Sequence, residues 1–218
     1  MNKRLQLICL AGLIAAVPAS AKKKKSAPAT PAVAVKDSAR VGNDYTKITK
    51  GATSKSGLFT THLSKDNKLY FELPDSAFKH SYLLANRMAA TSNTKDYVAG
   101  QMIGSPKMIR FSKDGQNVYM HLAQYRNTVD ASDAMASAFD RNFIDPILKG
   151  FKIVARKDSS VVIDVTQFFA GNEKCISPLK PENPLVKTST ALKGTFSADG
   201  SNIKRVKTFP QNIEVAAS

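Results

Sequence analysis

Residues 57–75 alternate between apolar and polar side chains in two short runs, and this alternation restricts the fold more than any other feature of the sequence. Three apolar residues of the second run fall on one side of an extended chain: Leu69, Phe71 and Leu73. A period of two is typical of a half-buried β-strand. Between the runs, Asp66 and Asn67 tolerate left-handed backbone angles, and Pro74 lacks the N–H that would continue the second strand. The segment therefore predicts an antiparallel hairpin.

The same alternation recurs along the chain. A second hairpin is predicted around Asp114-Gly115, because glycine accepts a positive φ at a tight turn without steric cost. Further predicted strands cover residues 82–88, 107–111, 118–123, 151–155, 161–165, 193–196, 203–209 and 213–215. Residues 82–88 are apolar on both faces, which is typical of a central strand. No β-helix-β rhythm is visible, so the predicted fold is mainly β, with antiparallel hairpins and a meander, and α+β is the alternative.

One short helix is predicted at about residues 131–144. Asp130 can cap its first turn, with Asp133 three residues later in the manner of a capping box. Three apolar residues recur every four positions along it: Met135, Phe139 and Phe143. Such a stripe is typical of a helix that packs on a core, and Pro146 ends the helical pattern. We expect the stripe to contribute to the core.

The first residues have the organisation of a targeting segment. Lys3 and Arg4 precede an apolar run, residues 5–17, and Ala19-Ser20-Ala21 matches the small-x-small cleavage pattern. The run is too short for a membrane-spanning helix, which needs about 20 residues. We therefore expect residues 1–21 to be a cleaved signal peptide, with an uncleaved N-terminal anchor as the alternative. The protein would then be exported to the periplasm, to the outer-membrane surface or out of the cell.

Residues 22–42 are rich in Lys, Ala and Pro, and we expect them to form a disordered linker because they offer little apolar surface to bury. Signal-peptide cleavage would also remove Cys9 and leave Cys175 as the single cysteine. One cysteine cannot form an internal disulfide, even in an oxidising compartment. We interpret Cys175 as a buried or half-buried residue without a catalytic role.

The net charge of +15 is concentrated at the N-terminus, because residues 1–36 contribute seven of these charges and residues 37–218 carry the other eight. Four lysines after the predicted cleavage site could make a weak contact with an anionic membrane: Lys22, Lys23, Lys24 and Lys25. Elsewhere the positive charge is interpreted as a solvated surface. No stretch interleaves aromatic residues with arginine, so nucleic acid is not an expected partner.

The sequence contains residue types that can act in catalysis, but they do not occur at the spacing of a known catalytic motif. The three histidines are His62, His80 and His121, and none belongs to the helical His-Glu-x-x-His motif. They could converge as a three-histidine metal site, but separate packing or surface roles are favoured. No Gly-x-Ser-x-Gly elbow and no glycine-rich phosphate loop occur, and the acidic residues near the predicted helix lack calcium-loop spacing. The residues alone therefore predict no catalytic, cofactor-binding or metal-binding site.

Several phrases, taken together and in order, resemble the N-terminal region of a family of exported zinc-dependent metalloproteases of Gram-negative bacteria. These phrases are Gly57-Leu58-Phe59, Leu69-Tyr70-Phe71-Glu72-Leu73-Pro74-Asp75-Ser76, Leu83-Leu84-Ala85-Asn86-Arg87, Ala99-Gly100-Gln101-Met102, Phe151-Lys152-Ile153, Val161-Val162-Ile163-Asp164-Val165-Thr166-Gln167-Phe168-Phe169 and Phe209-Pro210-Gln211-Asn212-Ile213-Glu214-Val215. The resemblance extends from about residue 43 to 215.

The resemblance implies two strand-rich accessory domains of unknown function, at residues 43–90 and 91–218, of which we expect the second to be incomplete. In the family they precede a catalytic domain with an extended His-Glu-x-x-His zinc site. This sequence does not contain that site, so no zinc ligand or catalytic base is transferred to it, and zinc is expected only in the catalytic domain. That domain of the same polypeptide is the expected partner.

Three functional hypotheses follow from the sequence. The first is a non-catalytic accessory region of a metalloprotease-like protein, as a truncated form or a fragment. The second is a stand-alone β module of the cell envelope that binds a glycan or an anionic surface. The third is a three-histidine metallohydrolase, which requires the histidines to meet around one ion.

Overall fold

The computed structural model describes residues 44–92, 94, 97–125, 129–130, 132–177 and 196–218. All of them belong to one of the two compact units of the chain, residues 36–218. The other unit, residues 1–35, lies outside the described residues, as do the predicted signal peptide, the predicted linker and most of the predicted strand at 193–196. These assignments stay predictions.

The described residues form an eight-stranded antiparallel sheet and a separate hairpin. The strands are β1 (Thr53–Lys55), β2 (Thr60–Leu63), β3 (Leu69–Leu73), β4 (Ser81–Leu84), β5 (Lys107–Lys113), β6 (Asn117–Leu122), β7 (Ile147–Lys157), β8 (Ser160–Asp164), β9 (Ile203–Thr208) and β10 (Ile213–Ala217). The order across the sheet is β1-β2-β3-β8-β7-β6-β5-β4, and β9 pairs with β10. The prediction of a mainly β, antiparallel fold is confirmed. The predicted boundary near residue 90 falls between β4 and β5, which lie side by side in this sheet, and it stays a prediction about the organisation of the chain.

The first predicted hairpin is confirmed, and the structure shows its register. His62 of β2 lies opposite Tyr70 of β3, and Thr61 lies opposite Phe71. Asn67 in the connecting turn has φ 60°, in the left-handed region that asparagine tolerates better than most residues. The local sequence therefore determined both the strands and the turn of this hairpin.

The second hairpin is confirmed, but its turn works differently from the prediction. Among the described residues, the glycines with positive φ are Gly51 and Gly100, and Gly115 is not one of them. Instead, Oδ1 of Asp114 accepts hydrogen bonds from the backbone N–H groups of Gln116, at 3.0 Å, and Asn117, at 2.9 Å. The aspartate side chain, rather than the freedom of the glycine, closes this turn.

The prediction of a central strand at residues 82–88 is wrong. The strand ends at Leu84, and β4 lies at one edge of the sheet with β5 as its neighbour. Tyr82 and Leu84 pack against the core, whereas Leu83 between them is 65% exposed. One face of β4 is therefore half-buried against the core, and the apolar residue on its other face is exposed to solvent.

The described residues contain several short helices besides the one predicted at about residues 131–144. A helix α1 spans residues 44–49, a 3-10 helix spans Asp75–Lys79, and α2 and α3 span Ala136–Asn142 and Thr166–Ala170. None of the helices in this part of the chain has the length and apolar character needed to cross a membrane.

The helix predicted at 131–144 is shorter than expected, and the proposed capping box does not form. Met135 occupies the N-cap position of α2 without a capping side chain. Oδ1 of Asp130 instead accepts the N–H of Ser132 at 2.9 Å, and Oδ1 of Asp133 accepts the N–H of Met135 at 2.7 Å. Aspartate side chains compete with the helix in this way by stabilising local turns.

The apolar stripe of this helix does not pack in the core, so that prediction is wrong. Met135 is 66% exposed and Phe143 is 42% exposed, and α2 contains no buried residue. The rings of Phe139 and Phe143 pack on each other, with centroids 4.5 Å apart. The stripe is a surface feature.

The core lies on one face of the sheet and includes residues from β3, β5, β6, β7, β8, α3 and β9. Phe59, immediately before β2, is buried and reaches across this face. Its ring centroid lies 6.0 Å from that of Phe71 on β3, 5.1 Å from Tyr82 on β4 and 6.1 Å from Phe111 on β5. Because β2 and β4 belong to opposite ends of the strand order, the sheet curls around its core.

The β9–β10 hairpin is attached to the start of the first hairpin. The N–H of Leu58 donates to the carbonyl oxygen of Phe209 at 2.8 Å, and the hydroxyls of Thr61 and Thr208 lie 2.7 Å apart. Gly57 permits this approach, since a Cβ atom there would lie 2.5 Å from the carbonyl oxygen of Phe209.

We predict that Gly57→Ala destabilises the fold by about 1–3 kcal/mol, because the added methyl group would push the backbone of the β9–β10 hairpin away. Gly104→Ala is the matched control, since a Cβ there meets no atom within 4 Å. The measurement is urea denaturation of both variants. Equal free energies of unfolding for the two variants would contradict the close approach.

Candidate functional site

Helix α1 covers the face of the sheet that is opposite to the core. Side chains alternate along β2 and β3, so His62 and Glu72 point away from the buried Phe71. The ring of Tyr45, on α1, meets the His62 ring edge-on with centroids 6.0 Å apart. This contact places the helix directly over the histidine.

His62 is 2% exposed and is the centre of a chain of hydrogen bonds. Its Nδ1 atom lies 2.7 Å from the hydroxyl of Ser54, and its Nε2 atom lies 3.1 Å from Oε2 of Glu72. The Tyr45 hydroxyl donates to the same Oε2 atom at 2.9 Å. Lys157 donates to the Tyr45 oxygen at 3.5 Å and lies over its ring. The network connects β1, β2, β3, β7 and α1.

Serine, histidine and glutamate in this order have the composition of a nucleophilic site, but burial alone explains the bonds. A histidine removed from water needs partners for both ring nitrogens, and the structure supplies them. In the described part of the chain, every buried side-chain nitrogen or oxygen has a hydrogen-bond partner. The role that this geometry supports is structural: it anchors α1 on the sheet.

The other two histidines are placed elsewhere. His121 on β6 lies 2.8 Å from the hydroxyl of Ser112 through Nε2 and 3.1 Å from the carbonyl oxygen of Asp145 through Nδ1, and His80 is exposed. β2 and β6 are four positions apart in the sheet, a path of about 19 Å along it. The three-histidine hypothesis is therefore wrong. Among the described residues, no group of three or more His, Cys, Asp or Glu side chains could hold a metal ion.

The acidic residues near α2 form local contacts. Two hydrogen bonds from Ser132 hold the pKa of the Asp130 carboxyl below its usual value. Asp145 pairs with Arg110 at 2.8 Å across the sheet. These contacts explain the surroundings of Asp130 and Asp145 within the protein.

Cys175 is half-buried, as the sequence suggested. Burial raises the pKa of its thiol, and the nearby Glu173 carboxylate raises it further. A thiol with a raised pKa is protonated at neutral pH, so it is a poor nucleophile.

An open groove of about 600 Å³ lies beside the histidine network, between α1 and the β2–β3 turn. It is lined by Lys47, Ile48, Lys50, Gly51, Ser64, Lys65, Asp66, Lys68 and Tyr70. We call this the lysine groove. From the sequence, these lysines were expected to belong to a general solvated surface. The missed signal was their spacing: Lys47 and Lys50, in α1 and directly after it, are three residues apart, and so are Lys65 and Lys68 in the β2–β3 turn.

Comparisons with known proteins identify two domains. The family model of a domain of unknown function (DUF5117) matches residues 100–218, more than half of the chain. The family model of a second domain of unknown function (DUF5118) matches residues 43–91. No curated protein matches the chain, and no solved structure does.

We predict that His62→Ala lowers the free energy of unfolding by about 3 kcal/mol, because it removes buried volume and the hydrogen bonds of His62 with Ser54 and Glu72. His121→Ala is the control, since its hydrogen-bond partner Ser112 is exposed, and we expect a loss below about 1 kcal/mol. Urea denaturation measures both values. A similar loss in the two variants would contradict the structural role of His62.

We also predict that stability falls at high pH. Burial raises the pKa of Tyr45 above its ordinary value of 10.0, and its hydrogen bond to Glu72 adds to the shift. The unfolded chain therefore releases this proton first, so the free energy of unfolding decreases once the pH exceeds about 10. Tyr45→Phe should make this decrease shallower. Identical pH profiles for the two proteins, measured by urea denaturation, would contradict the assignment.

Proposed function

This chain belongs to the DUF5117 family, and from that premise we propose that it acts as the non-catalytic N-terminal accessory region of an exported zinc-dependent metalloprotease-like protein. In this proposal the chain binds and positions a catalytic domain that carries the zinc. The support comes from the ordered phrases that resemble such proteases, and from two domains of unknown function in the same region of the chain.

Two of the resembling phrases occupy structurally important places. Residues 161–169 form β8 and continue into α3, and they contain buried residues of the core. Residues 57–59 contain the glycine and phenylalanine on which the curled sheet depends. These two shared segments therefore help to build the scaffold, which agrees with an accessory role.

The observation that carries the proposal is a group of exposed apolar residues at the two ends of α2 and at the start of β7, which we call the apolar patch. Its residues are Met135, Phe143, Ile144 and Ile147. Ile144 is 71% exposed and Ile147 is 57% exposed. Exposed apolar clusters of this kind mark surfaces that other proteins or domains cover. We propose that the zinc-containing catalytic domain covers this patch.

Export belongs to the same proposal. Residues 1–21 would direct the chain out of the cytoplasm, and residues 22–42 would act as a flexible spacer. Lys22, Lys23, Lys24 and Lys25 would make at most a weak contact with an anionic membrane. The protein would act in the periplasm, at the outer-membrane surface or in the medium.

A stand-alone β module of the cell envelope that binds a glycan or an anionic surface is the second candidate. The lysine groove favours it, because positive side chains from two elements line one depression. Such a module would need no catalytic domain to perform its task.

We predict that the purified chain associates with a zinc peptidase domain of the resembled family, supplied as a separate polypeptide. Ile144→Asp should weaken this association about tenfold or more, because a carboxylate would enter an apolar interface. Val98→Asp is the matched control, since Val98 is 63% exposed and lies outside the apolar patch. Sedimentation velocity of the mixtures measures the association.

Peptide hydrolysis provides an independent readout. With zinc present, the chain alone should leave fluorogenic peptides intact, and the added peptidase domain should cleave them. Cleavage by the chain alone would overturn the proposal. So would association that Ile144→Asp and Val98→Asp change to the same extent.

A further inference from the structure

We propose that the lysine groove is a binding site for a small molecule that carries at least two phosphate groups. The groove lies at the β2–β3 turn, and the apolar patch of the proposed docking surface lies on α2 and β7. The two inferences are therefore independent of each other.

The charge of the groove matches this ligand class. Four lysines line it against one aspartate, Asp66, so three positive charges are in excess. A phosphate monoester carries about 1.5 to 2 negative charges at neutral pH. Two such groups balance the excess, whereas one carboxylate does not. Lysine binds phosphate as a compact charge with three donors, so it suits a ligand that presents several oxygens.

Most of these lysines have no partner of their own. In the part of the chain that the structure describes, Lys50, Lys65 and Lys68 form no ion pair. Lys47 pairs with Asp44 at 3.3 Å, but its side chain is 76% exposed. An exposed pair of this kind contributes little to stability, so Lys47 can turn toward a ligand at small cost.

The β2–β3 turn is held in place by hydrogen bonds to β9 and within the turn. Nδ2 of Asn67 donates to the carbonyl oxygen of Ile203 at 2.8 Å, and its Oδ1 accepts the N–H of Ile203 at 2.7 Å. Within the turn, the N–H of Ser64 donates to the carbonyl oxygen of Lys68 at 2.9 Å. The backbone that carries Lys65 and Lys68 is thus fixed to β9, and a prearranged site loses less free energy on binding than a mobile one.

The opposite wall of the groove is anchored as well. Tyr45 attaches α1 to Glu72, and this helix carries Lys47 and Ile48. Gly51 follows with φ 76°, and a Cβ there would lie 3.9 Å from Cε of Lys65. The end of α1 and the turn therefore face each other across the groove at close range.

The remaining lining indicates what connects the phosphates. Tyr70 and Ile48 offer apolar surface, and the Ser64 hydroxyl can donate or accept a hydrogen bond. A polyol ring with phosphate substituents has this combination of C–H, hydroxyl and anionic groups. A groove of about 600 Å³ lies within the usual range for small-molecule sites, roughly 300–1,000 Å³. The ligand class is a polyol bisphosphate, either free in solution or as the head group of a lipid.

The test uses the full chain with two probes of the same chemistry. One is a soluble inositol bisphosphate, measured by isothermal titration calorimetry. The other is a phosphatidylcholine vesicle that contains a phosphatidylinositol phosphate whose head group also carries two phosphates, measured by flotation. Vesicles of phosphatidylcholine alone are the blank.

The variant pair separates a site from general positive charge. Lys65→Ala combined with Lys68→Ala should weaken binding about a hundredfold, since each lysine donates charge-assisted bonds. Lys204→Ala combined with Lys207→Ala removes the same charge from exposed positions on β9 and should leave binding almost unchanged. All four substitutions are on the surface, so folding is expected to be unaffected.

Each outcome of these measurements either supports one form of the ligand or overturns the proposal. Saturable binding of the soluble probe that only the groove variant loses supports a free polyol bisphosphate. Binding to the doped vesicles alone, with the same variant dependence, supports a lipid head group. No binding of either probe, or equal weakening by both variants, overturns the proposal. Ile144→Asp should bind these probes like the unmodified chain, so failure of the docking proposal remains distinguishable.

Discussion

The packing of Phe59 is the interaction on which the rest of the structure depends. The eight strands form an open sequence with β1 at one edge and β4 at the other, and hydrogen bonding alone would leave a sheet with an exposed apolar face. Phe59 contacts Phe71, Tyr82 and Phe111, and so it joins residues near both edges across the core. Aromatic pairs of this kind contribute about 0.5–1.5 kcal/mol each beyond the area that they bury. Gly57 and Leu58 then bring the β9–β10 hairpin to the same place.

Features that depend on neighbouring residues could be predicted from the sequence, and features that depend on distant ones could not. The alternation of Leu69, Phe71 and Leu73 determines a strand locally, and Asn67 determines its turn, so the hairpin was predictable with its break point. β4 lies at the edge because, among the described strands, it pairs with β5 alone, and this pairing joins segments that are well separated in sequence. Period two indicates which side chains share a face, but it does not indicate how a strand is ordered in a sheet.

The helix at residues 136–142 shows how a correct pattern can lead to a wrong burial assignment. Residues 135, 139 and 143 do share a side of α2, as the spacing of four requires. Periodicity identifies an apolar side, but it does not identify the surface that this side meets. The core face of the sheet is covered by α3, the 3-10 helix and the β9–β10 hairpin, whereas the stripe of α2 is exposed. The hydrogen-bond network of His62 could not be predicted from local sequence either, because its members come from β1, β3 and α1.

The two faces of the sheet have different roles in this chain. The inner face is occupied by the core, so a ligand there would displace packed aromatic residues. The opposite face carries α1, and the His62 network anchors that helix through bonds to the sheet. An anchored helix beside a rigid turn produces a depression with fixed walls, and the lysines at its rim give that depression its charge. The stability of the buried histidine and the proposed binding of an anion would thus have one structural origin. Removal of the Tyr45 hydroxyl should affect both, because it loosens the helix that carries one wall of the groove.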